Sequence, residues 1–289
     1  DGVLTDLNTE IIWICASNPS KNYGRFRECF PGGKHSARWK TYKVDTRAIP
    51  FTNKVEIKYI ADTWGEDSDY FRVHVLGEFP HASSLQLIPT DAVELARRRP
   101  VASYIHEPLI FGFDVARFGD NESVLARRRG NDARTLGTSR WRGLPLDQLA
   151  DRLGTIILEE QPDAVFVDEG GIGGGVVDFL RRLGHSVIGV NFGGAAGSRP
   201  EGTLIANKRA EMYVLLRNWL VRSGCIEDSD ALRDQLVSTE YSFNKKEEIL
   251  LEAKEAMRRR GVESPDWADA LALTFAMPVS VRSRRFGLP

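Results

Sequence analysis

Three apolar segments of this sequence end in, or open around, an aspartate. Phe111-Gly112-Phe113 leads into Asp114, Val165-Phe166-Val167 leads into Asp168, and Ser264-Pro265-Asp266-Trp267-Ala268-Asp269 opens an apolar run. A carboxylate at the end of an apolar strand is costly to desolvate unless it is paired or bound to a cation. For Asp114 alone, a turn cap and a ligand are equally good readings. Asp168 is followed by Glu169 and the glycine-rich stretch 170–175. Those glycines let a backbone or a ligand come close, or they only make the tight turn into the next helix. Asp266 and Asp269 are three apart, so they share one side of a helix start. Capping is a sufficient role for Asp266; it is less sufficient for Asp269, which lies one turn in among apolar neighbours.

Together these acids suggest an oxygen-only cluster for hard divalent cations such as Mg²⁺. Two such ions about 4 Å apart activate an attacking water and stabilise the leaving oxygen of a phosphodiester. That chemistry needs no His or Cys nucleophile. The five histidines, at 35, 74, 81, 106 and 185, make no H-x-x-x-H pair.

The elements that must position the acids are legible from about residue 109 onward. Leu109–Val115, Ser123–Arg129 and Ala133–Trp141 read as three strands with short links, an antiparallel meander. A helix is expected from Pro145 to about Glu160, on the spacing of Leu146, Leu149, Leu153, Ile156 and Ile157. Then follow a strand at Ala164–Asp168, a helix to about Leu183, a strand at Ser186–Phe192, a helix over 203–223, a hairpin within 235–252 and a helix at Trp267–Met277. This order is that of an α/β domain with a mixed sheet flanked by helices, and a ribonuclease H-like arrangement begins the same way. Residues 81–108 read as a linker, with a helix near Pro89–Arg99 capped by Thr90 or Asp91. Within residues 1–80, Glu10–Ala16 reads as a buried strand and 54–61 as a short helix, too few elements to close a core.

Composition sets further bounds. The 289 residues carry a net charge of -1, with 14 basic and 13 acidic side chains in 1–100 and 25 and 27 in 101–289. Bulk charge therefore argues against tight autonomous DNA binding, which draws on many phosphate contacts. Cys15, Cys29 and Cys225 form no framework, and a reducing setting fits. Membrane-length apolar runs and a signal peptide are not visible.

Three motifs carry a resemblance. Phe113-Asp114-Val115-Ala116-Arg117-Phe118-Gly119-Asp120-Asn121-Glu122-Ser123, then Val167-Asp168-Glu169 through Asp178, then Ser264-Pro265-Asp266-Trp267-Ala268-Asp269-Ala270-Leu271-Ala272-Leu273 resemble, in order, the three nuclease motifs of tailed-phage terminase large subunits. The resemblance implies a ribonuclease H-like (resolvase-like) nuclease domain at 109–289. It implies two Mg²⁺ or Mn²⁺ ions and endonucleolytic cutting of concatemeric double-stranded DNA during genome packaging. Asp114, Asp168 and Asp269 take the catalytic metal-ligand positions, with Asp266 as a fourth acid and Asp120 and Glu169 as outer-shell candidates. Asp178 is assigned to the helix start. The hairpin near Tyr241–Leu251 also matches, and Lys254 after it is a candidate to touch DNA or the metal shell, although a solvated surface lysine is the commoner case. Implied partners are the terminase small subunit, the portal and the rest of the motor, in the cytoplasm of a bacterial host.

Residues 1–80 resemble the end of the ATPase domain of that family, on Ser17-Asn18-Pro19 and Gly77-Glu78-Phe79-Pro80. No P-loop is present; Gly32-Gly33-Lys34-His35 lacks the distal Gly and the Ser/Thr. ATP-binding residues are therefore not expected. Two other readings stand beside the nuclease. Ala164–Glu169 has the form of an ATPase hydrolysis strand, which ATP binding would support. A non-catalytic DNA- or portal-docking module would use the acids only as caps. The tracts Arg127–Arg129 and Arg258–Arg260 are candidate phosphate contacts or solvated faces.

Overall fold

A computed structural model describes residues 13–19, 25–80, 86–101, 106–116, 122–259 and 261–281. The chain divides into two compact units, Asp1–Ser83 and Ser84–Pro289.

The described part of the first unit is helical. Its helices are α1 (Arg25–Glu28), α2 (Lys54–Trp64) and α3 (Asp69–Phe71), and a π-helical turn, Arg72–Leu76, continues α3. Asn53 starts α2 by accepting from the amides of Val55 and Glu56, so the expected short helix is longer than its amphipathic stretch. Trp64 stacks on Tyr70 with centroids 4.1 Å apart; Phe71, Val73 and Val75 are buried beside them. The expected strand at Glu10–Ala16 is corrected where it is described: Trp13–Ala16 is exposed and forms no strand. A strand needs a partner for its backbone groups, and the described residues of this unit supply none.

The second unit begins with α4 (Thr90–Arg98), which packs on the later helices α7 (Lys208–Arg222) and α8 (Asp230–Val237). Pro89 occupies the cap position without a side-chain bond, and Asp91 accepts only from its neighbour Ala92, so the expected Thr90 or Asp91 cap is not formed. The sheet comprises β1 (Leu109–Asp114), β2 (Ser123–Arg129), β3 (Asp132–Ala133), β4 (Ser139–Trp141), β5 (Ala164–Asp168), β6 (Ile188–Val190) and β7 (Cys225–Ile226). The strand order is β6-β5-β1-β2-β3-β7, with β4 also on β2. β1 runs antiparallel to β2 and parallel to β5, and β5 runs parallel to β6. The sheet is therefore mixed, as expected. A separate hairpin joins β8 (Tyr241–Phe243) to β9 (Ile249–Leu251).

Alternation along β1 assigns the two faces of the sheet. Leu109, Phe111 and Phe113 pack with Leu149 and Leu153 of α5 (Leu146–Glu160) and with Val176, Val177 and Leu180 of α6 (Gly173–Arg182). Gly112 and Asp114 point to the other face, where α10 (Asp266–Leu273) lies on β1 and β2 with α7 behind it. The single strand expected at Ala133–Trp141 is broken in two. Asp132 Oδ1 accepts from the amides of Arg134 and Thr135, a side-chain turn that ends β3 early. The helix expected over 203–223 starts only at Lys208, after Asn207, whose side-chain oxygen accepts from the Ala210 amide as a cap. Among the described residues no helix is long and apolar enough to cross a membrane, and the three cysteines are unpaired.

Candidate metal centre

Each acid reaches the site by a different backbone device. Parallel pairing of Phe113 with Val167 carries Asp114 and Asp168 to the same level at adjacent strand ends. The end of β1 is fixed by Ser123, whose hydroxyl accepts from the Ala116 amide and donates to the Ala116 carbonyl. Asp168 Oδ1 accepts from the Gly170 amide at 2.9 Å, and a Cβ on Gly173 would stand 1.8 Å from the Asp168 carbonyl. At that position the close approach of α6 to β5 admits only glycine. Asp266 is held by the Glu122 amide and the Ser264 hydroxyl.

Lys254, first residue of α9 (Lys254–Arg259), closes the cluster. Its ammonium lies 2.8 Å from Asp269 Oδ2, 3.6 Å from Asp114 Oδ2 and 3.9 Å from Asp266 Oδ1. The reading of Lys254 as a solvated surface lysine is thereby corrected: β9 delivers it inward. Asp269 is fully buried. Its Oδ1 accepts from Arg209 Nε and Nη2 at 3.2 and 3.1 Å and from the Tyr213 hydroxyl at 2.6 Å. Oδ2 faces the ammonium, but at angles outside hydrogen-bond geometry.

The electrostatics follow from four buried or half-buried acids sharing two cations. Burial, reinforced by Asp269, Asp168 and Asp266 against the pull of Lys254, pushes Asp114 up to about 8. Burial also raises Asp168, against the Gly170 amide, Lys254 and a hydrogen bond with Asp114, and it raises Asp266. Asp269 goes the other way: burial disfavours its charge, yet Arg209 and Lys254 together hold it below the usual carboxylate range. Burial opposes the charge on Lys254, but Asp269 and Asp114 outweigh it and raise the ammonium. A cluster so short of positive charge must hold a proton or admit another cation.

The donors are all carboxylate oxygens, the set that hard divalent ions take, and Asp269 Oδ2 is buried without a hydrogen bond. In donor chemistry the residues fit such an ion. As the side chains lie, however, no group of three or more His, Cys, Asp or Glu among the described residues is arranged to hold a metal. Asp114, Asp266 and Asp269 converge on the ammonium instead.

Asp120 lies outside the described residues. Glu169 is exposed and lies over Gly189, where a Cβ would stand 2.4 Å from its Oε2; its side chain is thus turned toward β6. Asp178 is corrected: α6 begins at Gly173, so Asp178 is exposed in the helix and does not start it. Arg127 and Arg128 are corrected as phosphate contacts. Arg127 is buried and pairs with Glu160 at 2.9 Å, and Arg128 bonds Thr274 and covers the Phe275 ring. Sequence reasoning missed Arg209 and Tyr213. The sequence offers little signal for them, because α7 also carries Lys208, Glu211, Arg217, Asn218 and Arg222, and Arg209 does not stand out among these.

No protein-family model and no curated protein matches the sequence. Solved structures do match. The nuclease domain of the large terminase subunit gp2 of bacterial virus Sf6 aligns with a TM-score of 0.56 and 18% identity, covering 67% of this chain and 99% of that one. A lysine-to-alanine mutant of that domain with manganese and β-thujaplicinol gives the same values. A gp2 mutant of the same kind with calcium gives 0.56 and 17% identity, covering 67% and 100%. At this identity the likeness establishes a shared fold.

Proposed function

We propose that the second unit is a metal-dependent endonuclease that cuts double-stranded DNA. The observation that carries the reading is the meeting of Asp114, Asp266 and Asp269 around one ammonium, with Asp168 beside Asp114 at the adjacent strand end. Asp114, Asp168 and Asp269 are the ligands proposed for Mg²⁺ or Mn²⁺, with Asp266 as a fourth. Two ions are proposed from the chemistry of phosphodiester hydrolysis. When bound, such ions supply an activated water and stabilise the leaving oxygen.

The chain's own groups do the rest. Asp114 gives up the proton that its surroundings favour. Lys254, partly exposed at the rim of the cluster, moves aside from the carboxylates and keeps a positive charge facing a phosphate. The Asp168–Gly170 bond and the Ser123–Ala116 pair keep the two strand ends from splaying.

The wider setting rests on the three motifs and the shared fold: cutting of concatemeric viral DNA in a packaging motor with small subunit and portal, inside a bacterial host. The first unit is proposed as the end of that motor's ATPase domain, on the two short resemblances at 17–19 and 77–80 alone.

The test is nicking of supercoiled plasmid with Mg²⁺ or Mn²⁺. The chain should nick only with metal, and Asp114→Ala should abolish nicking while the circular-dichroism spectrum is retained. A folded Asp114→Ala protein that cuts as fast as the parent refutes the assignment.

A further inference from the structure

Asp269 is the best-anchored acid of the cluster, and its anchors come from a helix outside the motifs. Arg209 and Tyr213 lie four apart on α7, hence on one face. Both are buried, and both donate to the same oxygen, Oδ1, of Asp269. A carboxylate oxygen offers two lone-pair directions, so three donors saturate it. The Asp269 side chain can then neither rotate nor present Oδ1 elsewhere. Oδ2 is left turned into the cluster, 2.8 Å from Lys254 Nζ.

Arg209 makes a second connection. Its Nη1 donates to the Glu252 carbonyl at 3.0 Å, two residues before Lys254. One guanidinium thus ties the carboxylate and the backbone that delivers the lysine to a common point. The guanidinium also lies over the Tyr213 ring, 5.3 Å from its centroid, which restricts its own motion. α7 is placed for this at its first turn: the amides of Lys208 and Arg209 donate to the carbonyls of Gly194 and Phe192, in the loop that follows β6.

We infer that Arg209 and Tyr213 are positioning residues that hold Asp269 as a one-oxygen ligand, presenting Oδ2 to the divalent cation. The inference rests on the nuclease reading and adds the residues that orient its ligand. Partners of this kind, behind a metal ligand, typically change metal affinity by about 10–100-fold when removed.

Mn²⁺ binding to the purified chain, followed by calorimetry and by electron paramagnetic resonance, is the test. Tyr213→Phe keeps the ring and removes one donor. It should weaken Mn²⁺ binding about tenfold and raise the Mn²⁺ concentration for half-maximal plasmid nicking in parallel. Arg209→Lys keeps the charge but not the fork, and should weaken binding at least as much. If Arg209→Lys does not fold, Tyr213→Phe decides alone. A folded Tyr213→Phe protein with parental Mn²⁺ affinity overturns the inference and leaves the nuclease reading standing. A parent chain that binds no Mn²⁺ and does not nick overturns both.

Discussion

Gly112 of β1 faces the carbonyl of Ala270 in α10 so closely that a Cβ on the glycine would stand 2.1 Å from that oxygen. The approach is backbone to backbone, so a substituent cannot be accommodated by a rotamer change. It also sets the site: Ala270 follows Asp269, and Gly112 lies two residues before Asp114 on the same face. Gly112→Ala is expected to push the helix off the sheet, cost about 3 kcal/mol as overpacking and lower the melting temperature by roughly 10 °C. The Mn²⁺ response should weaken with it. Gly174→Ala is the control, because a Cβ there meets nothing closer than the Glu169 carbonyl at 3.6 Å. In a helix it should be neutral or stabilise by about 0.5 kcal/mol. Equal melting temperatures for Gly112→Ala and parent would mean that the strand and helix are not in direct contact.

Asp114 predicts how stability and metal affinity depend on pH. Its pKa of about 8 lies above the ordinary 3.8, so the folded state holds the proton more tightly than the unfolded chain. The stabilisation linked to that proton is complete below about pH 4 and is lost as pH rises toward 8. In EDTA, thermal melts of the parent should lose stability across that window. Asp114→Asn, which cannot ionise, should flatten the slope and melt higher than the parent at pH 8. Metal binding has the opposite sign, because the ligand must lose its proton. Mn²⁺ affinity should therefore rise between pH 6 and 8, with proton release visible as a buffer-dependent calorimetric enthalpy. Parallel melting curves for parent and Asp114→Asn would show that Asp114 is charged throughout.

Asp114 and Asp168 were legible because a strand-end acid interrupts a local apolar pattern that one segment reveals. Lys254 was named only as a candidate beside the commoner surface reading, and Arg209 and Tyr213 were not named, because their surroundings are assembled from elements far apart in the chain. α7 is buried over most of its circumference from Arg209 to Leu220, so it shows no polar stripe from which an inward arginine would stand out. β7 is two residues long and exists through pairing with β3, which no periodicity in 225–226 announces. The break between β3 and β4 depends on one side-chain turn at Asp132. Sequence spacing thus singled out the acids that meet in the structure and missed what holds them.

Lys254 and Asp269 form the tightest ion pair of the cluster, and removing the lysine tests the charge balance directly. Breaking a buried pair typically costs about 3–5 kcal/mol. Lys254 is 29% exposed along its side chain, so solvent screens part of that and the lower end applies. Lys254→Met is expected to destabilise the metal-free chain by about 3 kcal/mol, read as a lower midpoint in urea with EDTA. Millimolar Mn²⁺ should recover most of the loss, because a divalent ion replaces the missing charge. Recovery by Mn²⁺ no larger for Lys254→Met than for the parent would separate the lysine from the cation site.

The two arginine tracts, alike in sequence, should behave differently toward DNA. Arg127 is committed to Glu160 and Ser139 inside the fold, whereas Arg258 and Arg259 are exposed at the end of α9, one turn beyond Lys254. Arg127→Ala leaves the Glu160 carboxylate without its partner and should cost stability, about 3 kcal/mol, without changing how DNA affinity responds to salt. The double change Arg258→Ala and Arg259→Ala should leave the melting temperature within about 2 °C, as surface substitutions do. It should weaken binding to any DNA sequence alike, and flatten the slope of log affinity against log salt by roughly 0.9 for each phosphate that is no longer neutralised. Filter binding at three or more salt concentrations measures that slope. An unchanged slope in the folded double variant would remove α9 from the DNA-binding surface.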